Sequence, residues 1–120
     1  MALKITVRRI GDVSVLDCEG KITKGTDGDY LRNELRRMIR EGRKKFLINL
    51  TKVERTDGTI VSELMIANAN GSDLIRLVKA PGNMQAFLKV INQEHVFKSY
   101  ETEKEALQSI AAISTQQSSV

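Results

Sequence analysis

The chain has 120 residues, 41% hydrophobic and 28% charged, a balance that excludes a disordered protein and suits one domain with one core. A net charge of +4 is mildly basic and bears on association with acidic partners, not on fold. The single cysteine, Cys18, excludes an internal disulfide.

Leu3, Ile5 and Val7 alternate with Lys4, Thr6 and Arg8, the period of a half-buried strand. No apolar signal-peptide segment precedes them, and no run approaches the ~20 residues that span a bilayer. A cytoplasmic protein is therefore expected, with no membrane partner. Gly11-Asp12 is a turn signal, and Val13–Cys18 follows as the second arm of an antiparallel hairpin. Glu19-Gly20 is expected to end that arm, with Lys21-Ile22 as a short extended piece. Thr26 reads as the N-cap of a helix, with Asp27 and Asp29 at the positive end of its dipole. Tyr30, Leu31, Leu35, Met38 and Ile39 form its apolar face. Arg36, Arg37 and Arg40 load its last turns, and Gly42 stops it.

Phe46–Leu50 is a nearly unbroken apolar run, as in a central strand. The turn Thr56-Asp57-Gly58-Thr59 then opens a helix whose buried side is expected to be Val61, Leu64, Met65 and Asn68, ending at Asn70-Gly71. Asp73–Lys79 is the next strand. Ala80-Pro81-Gly82 breaks the chain, and Asn83 is the candidate cap of a helix with Met84, Phe87, Leu88 and Ile91 on one face. His95–Tyr100 reads as a short strand. Thr102 and Glu105 form a capping box before a last helix with Ala106, Leu107, Ile110 and Ala111 apolar. Ser114–Val120 is small and polar and reads as a flexible tail, leaving residues 1–113 as a single domain. A hairpin followed by helix–strand repeats predicts an α/β fold. Its mixed sheet is antiparallel at the N-terminal hairpin and parallel after it, with about four helices packed on it.

A loop between a buried strand and an exposed helix start is where α/β domains place function. Asp57 suits an N-cap and can also orient a kinase or a cation. Gly58 reads as a backbone requirement at a tight turn. Thr59 is an ordinary first-turn residue or a phosphoacceptor. Ile60 either enters the core or widens a contact patch with Val61 and Met65. The cluster Arg36, Arg37, Arg40, Arg43, Lys44 and Lys45 lacks interleaved aromatics, so it reads as a solvated helix end able to steer an acidic partner, not as a nucleic-acid site. His95 has no second ligand at metal spacing, and carboxylates flank Cys18 and disfavour a thiolate. No phosphate loop or Ser/His/Asp set is present, so no catalytic residue, cofactor or metal is expected. Gly25-Thr26-Asp27-Gly28 offers small-ligand contact at most.

Several segments carry a resemblance in order and spacing. They are Cys18-Glu19-Gly20, Leu31-Arg32-Asn33-Glu34-Leu35, Phe46–Leu50 with Val53 and Asp57, Phe97-Lys98-Ser99-Tyr100-Glu101, and Glu105-Ala106-Leu107. Over about Leu3 to Ile110 the chain resembles the STAS domain family of anti-sigma factor antagonist type. The resemblance implies a non-enzymatic interaction domain in bacterial partner switching that regulates transcription by binding a kinase-like anti-sigma factor. The implied surface is Asp57, Gly58, Thr59, Ile60, Val61, Ser62 and Met65, with the loop near Thr23–Thr26 as a candidate extension, and the oligomeric state is left open. An unswitched STAS scaffold or a small-ligand-sensing domain is the alternative.

In that family the loop usually reads Asp-Ser-Ser-Gly or Asp-Ser-Thr-Gly, and the kinase-like partner phosphorylates the hydroxyl after the Asp. Phosphate adds about −1.5 to −2 charges at pH 7, enough to disrupt an interface packed around the loop. Here Asp57 matches, but Gly58 stands at the phosphoacceptor position without a hydroxyl. Thr59 matches the second hydroxyl, and Ile60 replaces the family glycine. Three readings stay open: Thr59 takes over, the domain binds without a switch, or Thr56 or Ser62 is used.

Overall fold

The computed structural model describes residues 2–118, with side chains over 2–113. The elements run β1 (Lys4–Ile10), β2 (Val13–Ile22), α1 (Thr26–Arg40), β3 (Lys45–Thr56), α2 (Gly58–Ala69), β4 (Leu74–Val78), α3 (Gly82–Val90), β5 (Ser99–Tyr100) and α4 (Glu103–Ser118). One sheet has the order β1-β2-β3-β4-β5; β1 and β2 pair antiparallel and every later pair is parallel. This is the mixed α/β architecture expected from the pattern.

The strand order dictates the layers. Each parallel strand is added on the same side of the last, so right-handed crossovers carry α1, α2 and α3 over one face. There Leu16, Phe46, Ile48 and Leu77 of the sheet meet Leu31 and Leu35, Ile60 and Leu64, and Met84 and Leu88. The last helix has no further strand to reach and covers the opposite face, where Ala106 and Ile110 pack with Val13, Val15, Leu47 and Val78. Arg8 fastens the start of α4 to the hairpin by pairing with both Asp17 and Glu103.

The two central strands are longer than their hydrophobic patterns. β3 does not stop at Leu50 but runs to Thr56, and β2 passes Glu19-Gly20 to reach Ile22. Their outer halves pair through Glu19↔Lys52, Gly20↔Val53, Lys21↔Arg55 and Ile22↔Thr56. Register shifts around Cys18 and Gly20, with Gly20 at φ 97°, absorb the mismatch as bulges. Residues 51–55 are mostly solvent-facing, so only the ladder, not burial, keeps them extended. The strand expected over His95–Tyr100 shrinks to Ser99–Tyr100, and Phe97 is buried from an irregular segment.

Three helix ends follow their signals. Gly42 and Gly71 adopt φ 90° and 117°, and the amides after them return to Met38 O at 3.0 Å and Ala67 O at 3.2 Å. The Thr102 hydroxyl accepts from the Glu105 amide at 3.2 Å. Two caps do not. Gly25, at φ 103°, precedes α1, so Thr26 is its first residue and caps nothing. Pro81 precedes α3, and Asn83 lies inside that helix, where its Nδ2 donates to Thr56 O at 3.1 Å. The backbone of α4 stays helical through Ser118, so most of the expected tail from Ser114 belongs to it; residues 119–120 lie outside the described residues. Among the described residues no helix is long and apolar enough to cross a membrane.

Candidate functional site

Because Ile22 pairs with Thr56, β2 and β3 end side by side, and the chain leaves both at the same edge. The loop before α1 and the turn before α2 are therefore neighbours. Asp57 joins them. Its Oδ1 accepts from the Thr59 amide at 2.8 Å, capping α2, and its Oδ2 accepts from the Lys24 amide at 3.1 Å. One exposed carboxylate thus holds two loops that are far apart in sequence.

The Thr59 side chain, then the Thr59 and Lys24 amides, hold this carboxyl below the usual aspartate range. The folded state therefore binds its proton less tightly than the unfolded state does. The stabilisation is full above the unfolded value and is lost as pH falls through the depressed folded one. Asp57→Ala is expected to lower stability by about 0.5–2 kcal/mol at neutral pH. In urea titrations repeated down the pH scale, the gap between variant and parent should close only in acid.

α1 and α2 run parallel and in register from this point. The Thr59 methyl sits over Gly28, where an added Cβ would lie 2.5 Å from it. One turn on, Arg32 clamps Glu63 through Nε at 2.8 Å and Nη2 at 2.7 Å, and Glu63 is only 3% exposed. A buried carboxylate must be paired, and this bidentate contact pairs it.

Gly58 departs from its expected role. It is absent from the glycines at positive φ, and a Cβ there would meet only the Phe87 ring, at 3.8 Å. The backbone does not demand glycine, and a Cβ has room. Phe87 itself, expected in the core, is 41% exposed beside Gly58. α3 buries Met84 and Leu88 and has no second layer to cover Phe87.

The expected contact residues divide. Asp57, Gly58, Ser62 and Met65 are exposed, and Thr59 is partly so. Ile60 and Val61 are buried, which corrects their place in a contact patch. The buried side of α2 is Ile60, Val61, Glu63, Leu64 and Ala67, so Met65 and Asn68 face out instead of in. Thr56 is also buried, with its hydroxyl unpartnered among the described residues, and the Ser62 hydroxyl donates to Gly58 O at 3.3 Å. Sequence reasoning set the Thr23–Thr26 loop beside the Asp57 turn, and Lys24 of that loop is the residue that joins them. It missed Asn83 and Phe87, whose only signal is that they flank the strand ends in space. Cys18 is buried, and burial with the neighbouring Asp17 charge pushes its thiol up to about 12.

Solved structures share this architecture. An anti-sigma factor antagonist from Mycobacterium paratuberculosis matches with a TM-score of 0.77 and 16% identity, over 92% of this chain and 95% of its own. A putative anti-sigma factor antagonist from Thermotoga maritima matches at 0.73 and 20% identity, over 89% and 94%. This is the fold of the anti-sigma factor antagonists. The antagonist SpoIIAA in its unphosphorylated form has the same STAS fold, with a TM-score of 0.68 and 14% identity over 90% and 98%. No protein-family model matches the chain, and none of the curated proteins is significantly similar to it in sequence. The likeness to the antagonists is one of fold.

Proposed function

We propose that this STAS-fold chain is a non-enzymatic interaction domain of bacterial partner switching, which binds a kinase-like anti-sigma factor in the cytoplasm without a phosphoswitch of its own. The observation that carries the reading is the exposed, clamped Asp57 turn with hydroxyl-free Gly58 set against Phe87. A rigid turn beside an exposed aromatic is the anatomy of a binding hot spot. The proposed surface is Asp57, Gly58, Ser62, Met65 and Phe87, with Thr59 at its edge.

The surroundings of the hydroxyls favour the unswitched form. Thr56 is buried, and Ser62 is turned onto the backbone. Thr59 is partly buried, with its methyl packed against Gly28, so presenting its side chain to a kinase disturbs the α1–α2 contact.

The test incubates the protein with its cognate kinase-like regulator, with and without ATP. Binding is followed by calorimetry and phosphate is mapped by mass spectrometry. A stable complex under both conditions, with no phosphate on the protein, is expected. Phe87→Ala should weaken it at least about tenfold, or 1.4 kcal/mol. Gly58→Ser should fold normally, accept phosphate at position 58 and lose the complex when ATP is added. Phosphate on Thr59 that disappears in Thr59→Ala would overturn the unswitched reading, and absence of any complex would overturn the partner.

A further inference from the structure

α2 is apolar on more than the side it buries. Its one charged side chain is Glu63, which points inward to Arg32. Ile66 faces outward, 38% exposed, and lines the gap to α1, while Met65, 42% exposed, belongs to the Asp57 surface. A helix that is apolar around most of its circumference belongs between two surfaces, and the fold supplies only one of them.

α1 supplies the complementary chemistry. Beyond the Arg32–Glu63 clamp, the two parallel helices leave a groove of about 210 Å³. Leu35, Ile39, Ile66 and Ala67 give it apolar walls, and Arg32, Arg36 and Arg40 line it at helical spacing. Eight residues of helix place these arginines along about 12 Å. Arg32 is occupied by Glu63. Among the described residues, Arg36 and Arg40 have neither an ion pair nor a side-chain hydrogen bond. Their neighbour Arg37, by contrast, is held by Glu34 at 3.0 Å and Glu41 at 3.3 Å. Charge on α1 is thus neutralised at Arg32 and Arg37 and left open at the two arginines farther along the groove.

We infer that the α1–α2 groove is a second docking surface, for an acidic amphipathic helix of a protein partner. Apolar side chains of that helix would lie on Ile39 and Ile66, and carboxylates one turn apart would reach Arg36 and Arg40. Helix-in-groove recognition uses this spacing, and guanidinium–carboxylate pairs supply its specificity. A second copy of the chain fits poorly, because a two-fold contact would set arginine against arginine in a molecule of net charge +4. Nucleic acid fits poorly too, since the lining has no aromatic side chain for stacking. The surface is distinct from the Asp57 turn and does not rest on the function proposed for it.

The probe is a fluorescein-labelled designed peptide helix with leucines on one face and glutamates spaced one turn apart beside them. Anisotropy with the whole chain should show saturable binding that weakens from about 0.05 to 0.3 M salt. Amide shifts on titration should centre on Ile39, Ile66 and Asn70. Arg36→Glu with Arg40→Glu should lower affinity at least tenfold, and a lysine-for-glutamate peptide should bind that double variant better than it binds the parent. Arg9→Glu, on β1, should leave binding unchanged. The inference is overturned if the glutamate peptide does not bind, if it binds parent and double variant alike, or if the shifts map elsewhere.

Discussion

Ile60→Ala lowers the unfolding free energy by about 2–5 kcal/mol, read as a fall in urea midpoint at constant slope. Ile60 is fully buried in the core shared by α1, α2 and α3, where truncation leaves a cavity that packed neighbours fill only in part. Ile60→Val should cost about 0.5–1.5 kcal/mol. Ile60→Gly, which restores the residue usual in antagonist loops, adds a further ~1 kcal/mol of helix propensity to the cavity cost. Partner affinity at a temperature where each variant remains folded should match the parent. Lost affinity with intact stability would return Ile60 to the contact surface.

Gly28→Ala should cost about 1–3 kcal/mol, although alanine is the better helix former by ~1 kcal/mol. The new Cβ would stand 2.5 Å from the Thr59 methyl, and a β-branched side chain at a helix start has little freedom to yield. Thr59→Ser deletes that methyl and keeps the hydroxyl. In a double-mutant cycle it should recover most of the loss, with a favourable coupling of about 1–2 kcal/mol. The single variant should also weaken partner binding, because relieving the contact moves the start of α2 and with it the Asp57 turn. An additive cycle would show that the approach of the two helices does not position the turn.

Both outcomes concern residues whose type was plain in the sequence and whose role was not. The helix before Gly42 is readable because Leu31, Leu35 and Met38 repeat at helical spacing and all three are buried. The α2 start is readable because Asp57 is a good cap. The outer half of β3 is not, since Thr51 to Arg55 show no burial period and stay extended only by pairing with β2. The N-caps of α1 and α3 fail for a related reason. Thr26 and Asn83 are good capping types, but Gly25 and Pro81 hold the N-cap positions, and the Asn83 side chain is used on the Thr56 carbonyl instead. Within α2, apolar residues lie on both the buried and the exposed sides, so the pattern cannot say which side faces in; its packing against α1, α3 and the sheet does.

The order of elements, the central strand and the Asp57 cap were determined by the sequence, because hydrophobic period and capping chemistry act over a few neighbouring residues. The absence of a hydroxyl at position 58 was equally plain there. Only the tertiary structure decided that glycine is not required at that position and that Phe87 stands beside it. It alone put Ile60 in the core and set Lys24 on Asp57 and Arg32 on Glu63, pairs 33 and 31 residues apart. Those facts follow from which strands lie side by side and which helices share a face of the sheet, and no short stretch of chain carries that geometry.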